Sequence, residues 1–239
     1  MISKAEIKRI HALRSKKQRE ESGLFVVEGE KMVAEALASG FEVEAMYRSS
    51  EIGEEAMSRI TMLSSPSPAL AVVRIPEPMS EADVRALVLS RPLCLALDGV
   101  RDPGNLGTIM RIADWFGIDA VFASRDTVEL YNPKVVQATM GAIFRRRLVY
   151  CDVAAVARSF AGAGMPVYGT FLDGEDIYAE APSPCGLIVM GSESNGIGAD
   201  VAQTVTRRLF IPPYPRDAAG SESLNVAIAT AITCALFRR

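Results

Sequence analysis

From Leu93 to the C-terminus, short apolar runs alternate with amphipathic stretches, and this alternation limits the possible folds more than any other feature of the sequence. The runs are LCLAL, AVFAS, RLVYC, VYGTF, GLIVM and RLFIP, with helical patterns at 106–116, 133–143, 153–161, 200–205 and 224–237 between them. Strands buried on both faces read as continuous apolar runs, whereas half-exposed strands alternate apolar with polar residues. The pattern therefore predicts an α/β fold, a mostly parallel sheet with helices on both faces. Ligands of such folds bind at loops leaving the carboxyl ends of strands. Four of those loops carry polar or glycine-rich clusters, DGVRDPGNLGT, GTFLDG, GSESNGIG and IPPYPRDAAGSESLN, which should converge on one sheet edge. No GxGxxG follows the first strand, so the usual dinucleotide fingerprint is missing.

The segment before Leu93 is organised differently. KAEIKRIHALRSKKQR, from Lys4 to Arg19, sets Ile7, Ile10 and Leu13 at helical spacing among Lys8, Arg9, Arg14, Lys16, Lys17 and Arg19. Such a basic helix is either a solvated face or a phosphate-contacting one, and His11 reads as a surface or boundary residue. Apolar runs at Leu24–Val27 and Val43–Tyr47 flank a helical stretch at Lys31–Leu37, which fits a small α/β unit. Pro76 and Pro78 break regular structure, and the domains are expected at 1–85 and 86–239.

Composition removes several function classes. With 239 residues, 49% hydrophobic and 23% charged, the chain can bury a substantial core. No signal pattern and no apolar run of roughly 18 residues is present, so a cytoplasmic location without a membrane partner is expected. Cys94, Cys151, Cys185 and Cys234 form no CxxC pair and read as reduced core thiols. A single histidine, His11, leaves a metal site or a Ser/His/Asp relay without its usual ligand and base. The net charge of −3 does not itself suggest nucleic acid, but the clustering of basic residues matters more than the sum.

DPGNLGTIMRIADWFG, GSESNGIG and IPPYPRDAAGSESLNVAIATAI, in that order, resemble the three signature motifs of the SpoU (TrmH-type) ribose methyltransferases of the SPOUT superfamily. KKQREESGLFVVEGEKMVAEAL resembles part of the L30e-like substrate-binding domain that many of these enzymes carry. The resemblance implies S-adenosylmethionine as cofactor with no metal, a C-terminal trefoil knot, and a homodimer whose interface adjoins the active site. It also implies roles for particular residues. Asn105 and Arg111 stand where the family places residues near the reacting nucleotide. Arg111 offers a planar fork of donors to a phosphate or ribose oxygen; its high pKa argues for orientation and electrostatic help over a general-base role. A helix-surface salt bridge is the structural alternative for Arg111, and a helix cap for Asn105.

In the second motif the resemblance assigns Gly191 and Gly196 to close backbone approach to the cofactor. It assigns Glu193 to the active-site network, a turn residue being the alternative. In the third, Ile211 and Leu224 would sandwich the adenine, and Ser223 and Asn225 would hold the ribose hydroxyl; Ser223 also reads as an N-cap. Thr170 is a further cofactor contact by resemblance. The run YPRDAAGSE is longer than the family's usual spacing, which leaves Arg216 and Asp217 without an assigned role and predicts a longer loop. YNPKVVQATMGAIFRRR resembles another family stretch, whose Lys134, Arg145, Arg146 and Arg147 would reach phosphates unless they form a solvated strand end.

The implied function is methylation of a ribose 2′-hydroxyl in RNA, ribosomal (23S) RNA ahead of transfer RNA. A non-catalytic RNA-binding or assembly factor on the same fold is the competing class.

Overall fold

The computed structural model describes residues 2–215 and 223–239. The chain divides into two compact units, one of residues 1–77 with 129–145 and one of residues 78–128 with 146–239.

The first unit begins with α1 (Lys4–Ala12) and α2 (Lys16–Ser22), followed by β1 (Leu24–Glu28), α3 (Glu30–Ala38), β2 (Val43–Arg48), α4 (Ser49–Ile52), α5 (Glu54–Ile60) and β3 (Ala69–Arg74). The single basic helix expected over 4–19 is thus two helices. Ser3 caps the first through its Oγ, and Ser15 stands at the N-cap of the second. The sheet is antiparallel in the order β1-β3-β2. Strand periodicity puts Leu24, Val26, Leu70 and Val72 on one face, where they pack with Ile10, Leu13, Met57 and Ile60 of the flanking helical segments.

The opposite face carries Phe25 and explains why a distant segment joins this unit. Tyr131 packs on Phe25 in a tilted arrangement with 4.8 Å between ring centroids, and Phe144 meets Phe41 edge-on at 5.2 Å. Arg19, 2% exposed, donates from Nε to Glu129 Oε1 at 2.9 Å and from Nη2 to Oε2, while its Nη1 bonds the carbonyls of Leu13 and Arg14. The boundary expected at 85 therefore differs from the observed division: residues 78–85 fall in the second unit, and 129–145 belong to the first.

The second unit opens with α6 (Glu81–Leu89), which spans the domain boundary expected at 85; Ser80 and Asp83 cap it reciprocally. It continues through β4 (Leu93–Asp98), α7 (Pro103–Trp115) and β5 (Val121–Ala123). After α8 (Pro133–Thr139), which lies in the first unit, come β6 (Leu148–Tyr150), α9 (Val153–Gly162), β7 (Val167–Asp176), β8 (Gly186–Gly191), α10 (Ala199–Ala202), β9 (Arg207–Phe210) and α11 (Val226–Phe237). All strand pairs are parallel, in the order β6-β5-β4-β8-β7-β9, which is the expected α/β class. The helix expected at 133–143 ends at Met140, which takes a left-handed φ of 51° before Gly141. GTFLDG is not a plain loop. Thr170 and Glu175 both pair with Leu209, so residues 171–174 form an irregular insertion inside β7. Gly174 permits it, because a Cβ there would stand 2.5 Å from the Leu209 carbonyl carbon.

Three of the cysteines are buried and Cys151 is partly so, all as free thiols; burial pushes Cys94 and Cys234 up to about 12 and Cys151 to about 11. Among the described residues no helix is long and apolar enough to cross a membrane, and no cluster of metal-ligating side chains occurs.

Candidate active site

The strand order reverses between β4 and β8: the chain leaves β4 toward β5 on one side, while β8 lies on the other. The crevice at such a switch point is the natural ligand site of an open parallel sheet. Two of the family-like loops leave the sheet there. After β4, Asp102 caps α7 by accepting from the Asn105 backbone N at 2.8 Å, and Pro103 occupies the first turn, where its missing N–H is no loss. This cap sets Asn105 in the first turn of the helix, its side chain partly exposed at the carboxyl edge.

After β8 the chain turns on itself. Ser192 and Gly196 exchange backbone hydrogen bonds at 3.0 Å, and the Ser192 Oγ accepts from the Asn195 N. Gly196 adopts a φ of 66°, and a Cβ on Gly191 would come within 2.1 Å of the Gly196 carbonyl carbon. Both glycines are therefore required by the turn. The loop is tied to the end of β4 by Gly198 N donating to Asp98 Oδ2 at 2.7 Å. Asp98 is a positioning residue that sequence reasoning missed; its signal was an acidic residue terminating an otherwise apolar strand.

Three expected residues from three separate motifs meet in one chain of hydrogen bonds. Asn225 Oδ1 accepts from the backbone N atoms of Ala227 (2.9 Å) and Ile228 (3.3 Å), capping α11. Those two donors fix which end of the amide is oxygen, so Nδ2 points outward and donates to Asn105 Oδ1 at 2.9 Å. Asn105 Nδ2 in turn donates to Glu193 Oε1. The chain has one polarity from helix N-terminus to carboxylate. Glu193 thus stands in the turn after β8 and also accepts a bond from α7. The cap expected at Ser223 belongs instead to Asn225, because α11 starts at Val226; Ser223 is exposed.

The other expected residues distribute as follows. Arg111 is exposed on α7 and makes no hydrogen bond or ion pair among the described residues, so the salt-bridge alternative has no partner there. It lies about 9 Å further along the helix axis than Asn105. Thr170 in β7 is level with Met190, whose sulfur accepts from its Oγ1 at 3.9 Å, and pairs with Leu209 in β9. Gly191 ends β8 and Ile211 follows β9, while Thr170 lies inside the intervening β7, just before its irregular insertion. Leu224 and Ile228, one turn apart beside Asn225, leave 50% and 52% of their surface exposed. Arg216 and Asp217 lie outside the described residues.

Among the expected phosphate contacts, Arg19 is withdrawn by its burial against Glu129. Arg9 is engaged by Glu6 (2.7 Å) and Glu44 (2.6 Å), Arg145 by Glu35 (2.5 Å), and Arg146 by Asp114 (3.1 Å). Lys16 and Lys17 make loose, exposed pairs with Glu20 and Glu21 at 3.6 and 3.7 Å, contacts of little energetic weight. Lys8, Lys134 and Arg147 are exposed.

Residues 92–235 match the model of the SpoU rRNA methylase family, and residues 4–74 that of the MRM3-like substrate binding domain. The chain belongs to the SpoU rRNA methylase family. It is 32% identical over 236 residues to the 23S rRNA (guanosine(2553)-2′-O)-methyltransferase RlmP of Bacillus subtilis, covering 92% of this chain and 90% of that protein. Among solved structures, a TrmH-family protein from Porphyromonas gingivalis superposes with a TM-score of 0.85 at 37% identity, covering 100% of this chain and 98% of that one. An AdoMet-bound rRNA methyltransferase from Sinorhizobium meliloti gives a TM-score of 0.86 at 28% identity, covering 100% and 96%.

Proposed function

We propose that this chain transfers a methyl group from S-adenosylmethionine to a ribose 2′-hydroxyl of ribosomal RNA, the second unit acting as catalyst and the first as substrate-binding domain. The observation that carries the reading is the Asn225–Asn105–Glu193 chain, which links all three motifs at the strand reversal. When bound, S-adenosylmethionine supplies a methyl on a cationic sulfur, which leaves as a neutral thioether. The residues fit that group: a turn that requires glycine at Gly191, where a Cβ would clash, and at Gly196, whose φ is left-handed, a threonine hydroxyl in the neighbouring strand, and apolar side chains at Ile211 and Leu224. Thr170, Gly191, Gly196, Ile211 and Leu224 would hold it.

The remaining side chains handle the hydroxyl. Displacement at a methyl carbon is a problem of alignment, and a hydroxyl held in line reacts far faster than one that must find the geometry. Asn105 has a second amide hydrogen to offer, and Glu193 Oε2 has no partner among the described residues. The pair can hold a hydroxyl as both donor and acceptor and draw its proton toward the carboxylate. Arg111 supplies a permanent positive charge to an adjacent phosphate, orienting the nucleotide. Ser223 completes the contacts.

The homodimer and the trefoil knot belong to the same reading. After β9 at the sheet edge, α11 returns to pack against α7 and β8 near the sheet centre, a path in keeping with a knot. Exposed Trp115 on α7 and Ile228 on α11 supply apolar surface for a second copy. Incubation with methyl-labelled S-adenosylmethionine and separate pools of ribosomal and transfer RNA tests the substrate. Label should enter the 23S fraction; label confined to transfer RNA overturns the ribosomal assignment, and none in either overturns the catalytic one.

A further inference from the structure

The first unit contains a groove of about 570 Å³ between α1 and α5, lined by Lys4, Ile7, Lys8, His11, Arg14, Ser58 and Arg59. Three of these residues, Lys4, His11 and Arg59, were not singled out by the sequence patterns as RNA contacts. Lys4, Lys8 and His11 follow the i, i+4, i+7 spacing that puts them on one stripe of α1, and Arg14 follows just beyond the end of the helix. Among the described residues no carboxylate lines the groove. The neighbouring acids are engaged elsewhere: Glu6 and Glu44 hold Arg9 on another side of α1, and Tyr47 donates to Glu6. Glu55 touches Arg59 at 3.0 Å, but this pair is exposed and readily exchanged for a phosphate. Arg14 is steadied by donating from Nη2 to the Thr61 carbonyl at 2.5 Å, which leaves its other donors available.

We propose that this groove takes the sugar-phosphate backbone of the RNA substrate, and that it is the main electrostatic docking surface of the first unit. The inference rests on the ribosomal RNA reading above. Four cations gathered in one groove, Lys4 and Lys8 about 6 Å apart along α1 with Arg14 and Arg59 beside them, suit a polyanion, whereas a single small anion would need one or two converging groups. Ile7 and the His11 imidazole also line the groove, so a ribose or base edge meets apolar surface there. Its selection from a larger set of basic residues follows from pairing: Arg9, Arg19 and Arg145 are committed to carboxylates, while Lys4 and Lys8 are not.

Binding of fluorescein-labelled 23S ribosomal RNA fragments to the full chain, followed by anisotropy over a range of salt, tests the groove without requiring methyl transfer. The triple variant Lys4→Gln, Lys8→Gln, Arg59→Gln should bind at least 10-fold more weakly and lose about 2–3 units of the log Kd against log salt slope. A matched variant neutralising exposed cations elsewhere, Lys31→Gln, Arg85→Gln, Arg158→Gln, should lose less than about 2-fold. Circular dichroism of both should match the parent chain. Equal losses in the two variants would mean diffuse attraction and overturn the proposal, as would an unchanged slope in the first. Competition by polyglutamate as effective as that by RNA would assign the groove to acidic protein and also overturn it. Parent chain that binds RNA through the groove but transfers no methyl would sink the catalytic reading alone.

Discussion

Asn105 shows how far single residues could be read. The sequence offered it as a helix cap or as a neighbour of the reacting nucleotide, and it is not the cap, since Asp102 takes that place. Its side chain is instead the middle of a polarised hydrogen-bond chain, which no local pattern reveals because its partners lie 88 and 120 positions away. Asn105→Asp keeps the shape, removes the donor and sets a second carboxylate against Glu193. Turnover should fall about 100-fold, with the Kd for S-adenosylmethionine changed less than about 3-fold, by methyl-transfer kinetics and calorimetry. Arg19 taught the opposite lesson. Its place in a basic run suggested phosphate, yet burial against Glu129 makes it structural, and only the fold could bring residues 110 apart together.

At the scale of elements, the apolar runs after Leu93 read correctly as parallel strands, because strands buried on both faces leave a signal in hydrophobicity alone. Starts and stops were less legible. Met140 ends α8 in a left-handed conformation that its own residue type disfavours, so the helix was read as continuing. Asn225 both caps α11 and feeds the hydrogen-bond chain, and two variants separate these tasks. Asn225→Ala should destabilise the protein by about 1 kcal/mol in chemical denaturation and abolish activity. Asn225→Asp keeps the accepting oxygen, so stability should stay within about 0.5 kcal/mol of the parent while activity is lost with the Nδ2 donor. Within the first unit, burial raises the pKa of Glu28 above the usual carboxylate range, with hydrogen bonds from Thr61 Oγ1 and Met62 N opposing. Its favourable contribution is complete below the ordinary carboxylate pKa and lost as pH rises through the raised one. The thermal midpoint should therefore fall across that window, and Glu28→Gln should flatten the fall.

For the whole molecule, the sequence announced two parts but not the way the chain is shared between them. Residues 129–145 join the first unit because the Phe25 face of its sheet needs cover that residues 1–77 do not fully supply, and Tyr131 and Phe144 bring it. Glu129→Ala would strand the Arg19 guanidinium in the interior, and denaturation should show a loss of about 3 kcal/mol, a penalty that Arg19 shed into solvent would not incur. Catalytic identity was more legible than architecture, since motif order survives in one dimension while the convergence of Asn105, Glu193 and Asn225 needs three. Whether these residues act on a ribose oxygen is decided by alkaline hydrolysis of RNA methylated by the purified protein with labelled S-adenosylmethionine. A methylated 2′-oxygen cannot attack the adjacent phosphodiester, so the label should emerge in a single alkali-stable dinucleotide. Label released entirely in mononucleotides would place the methyl on a base and contradict the account.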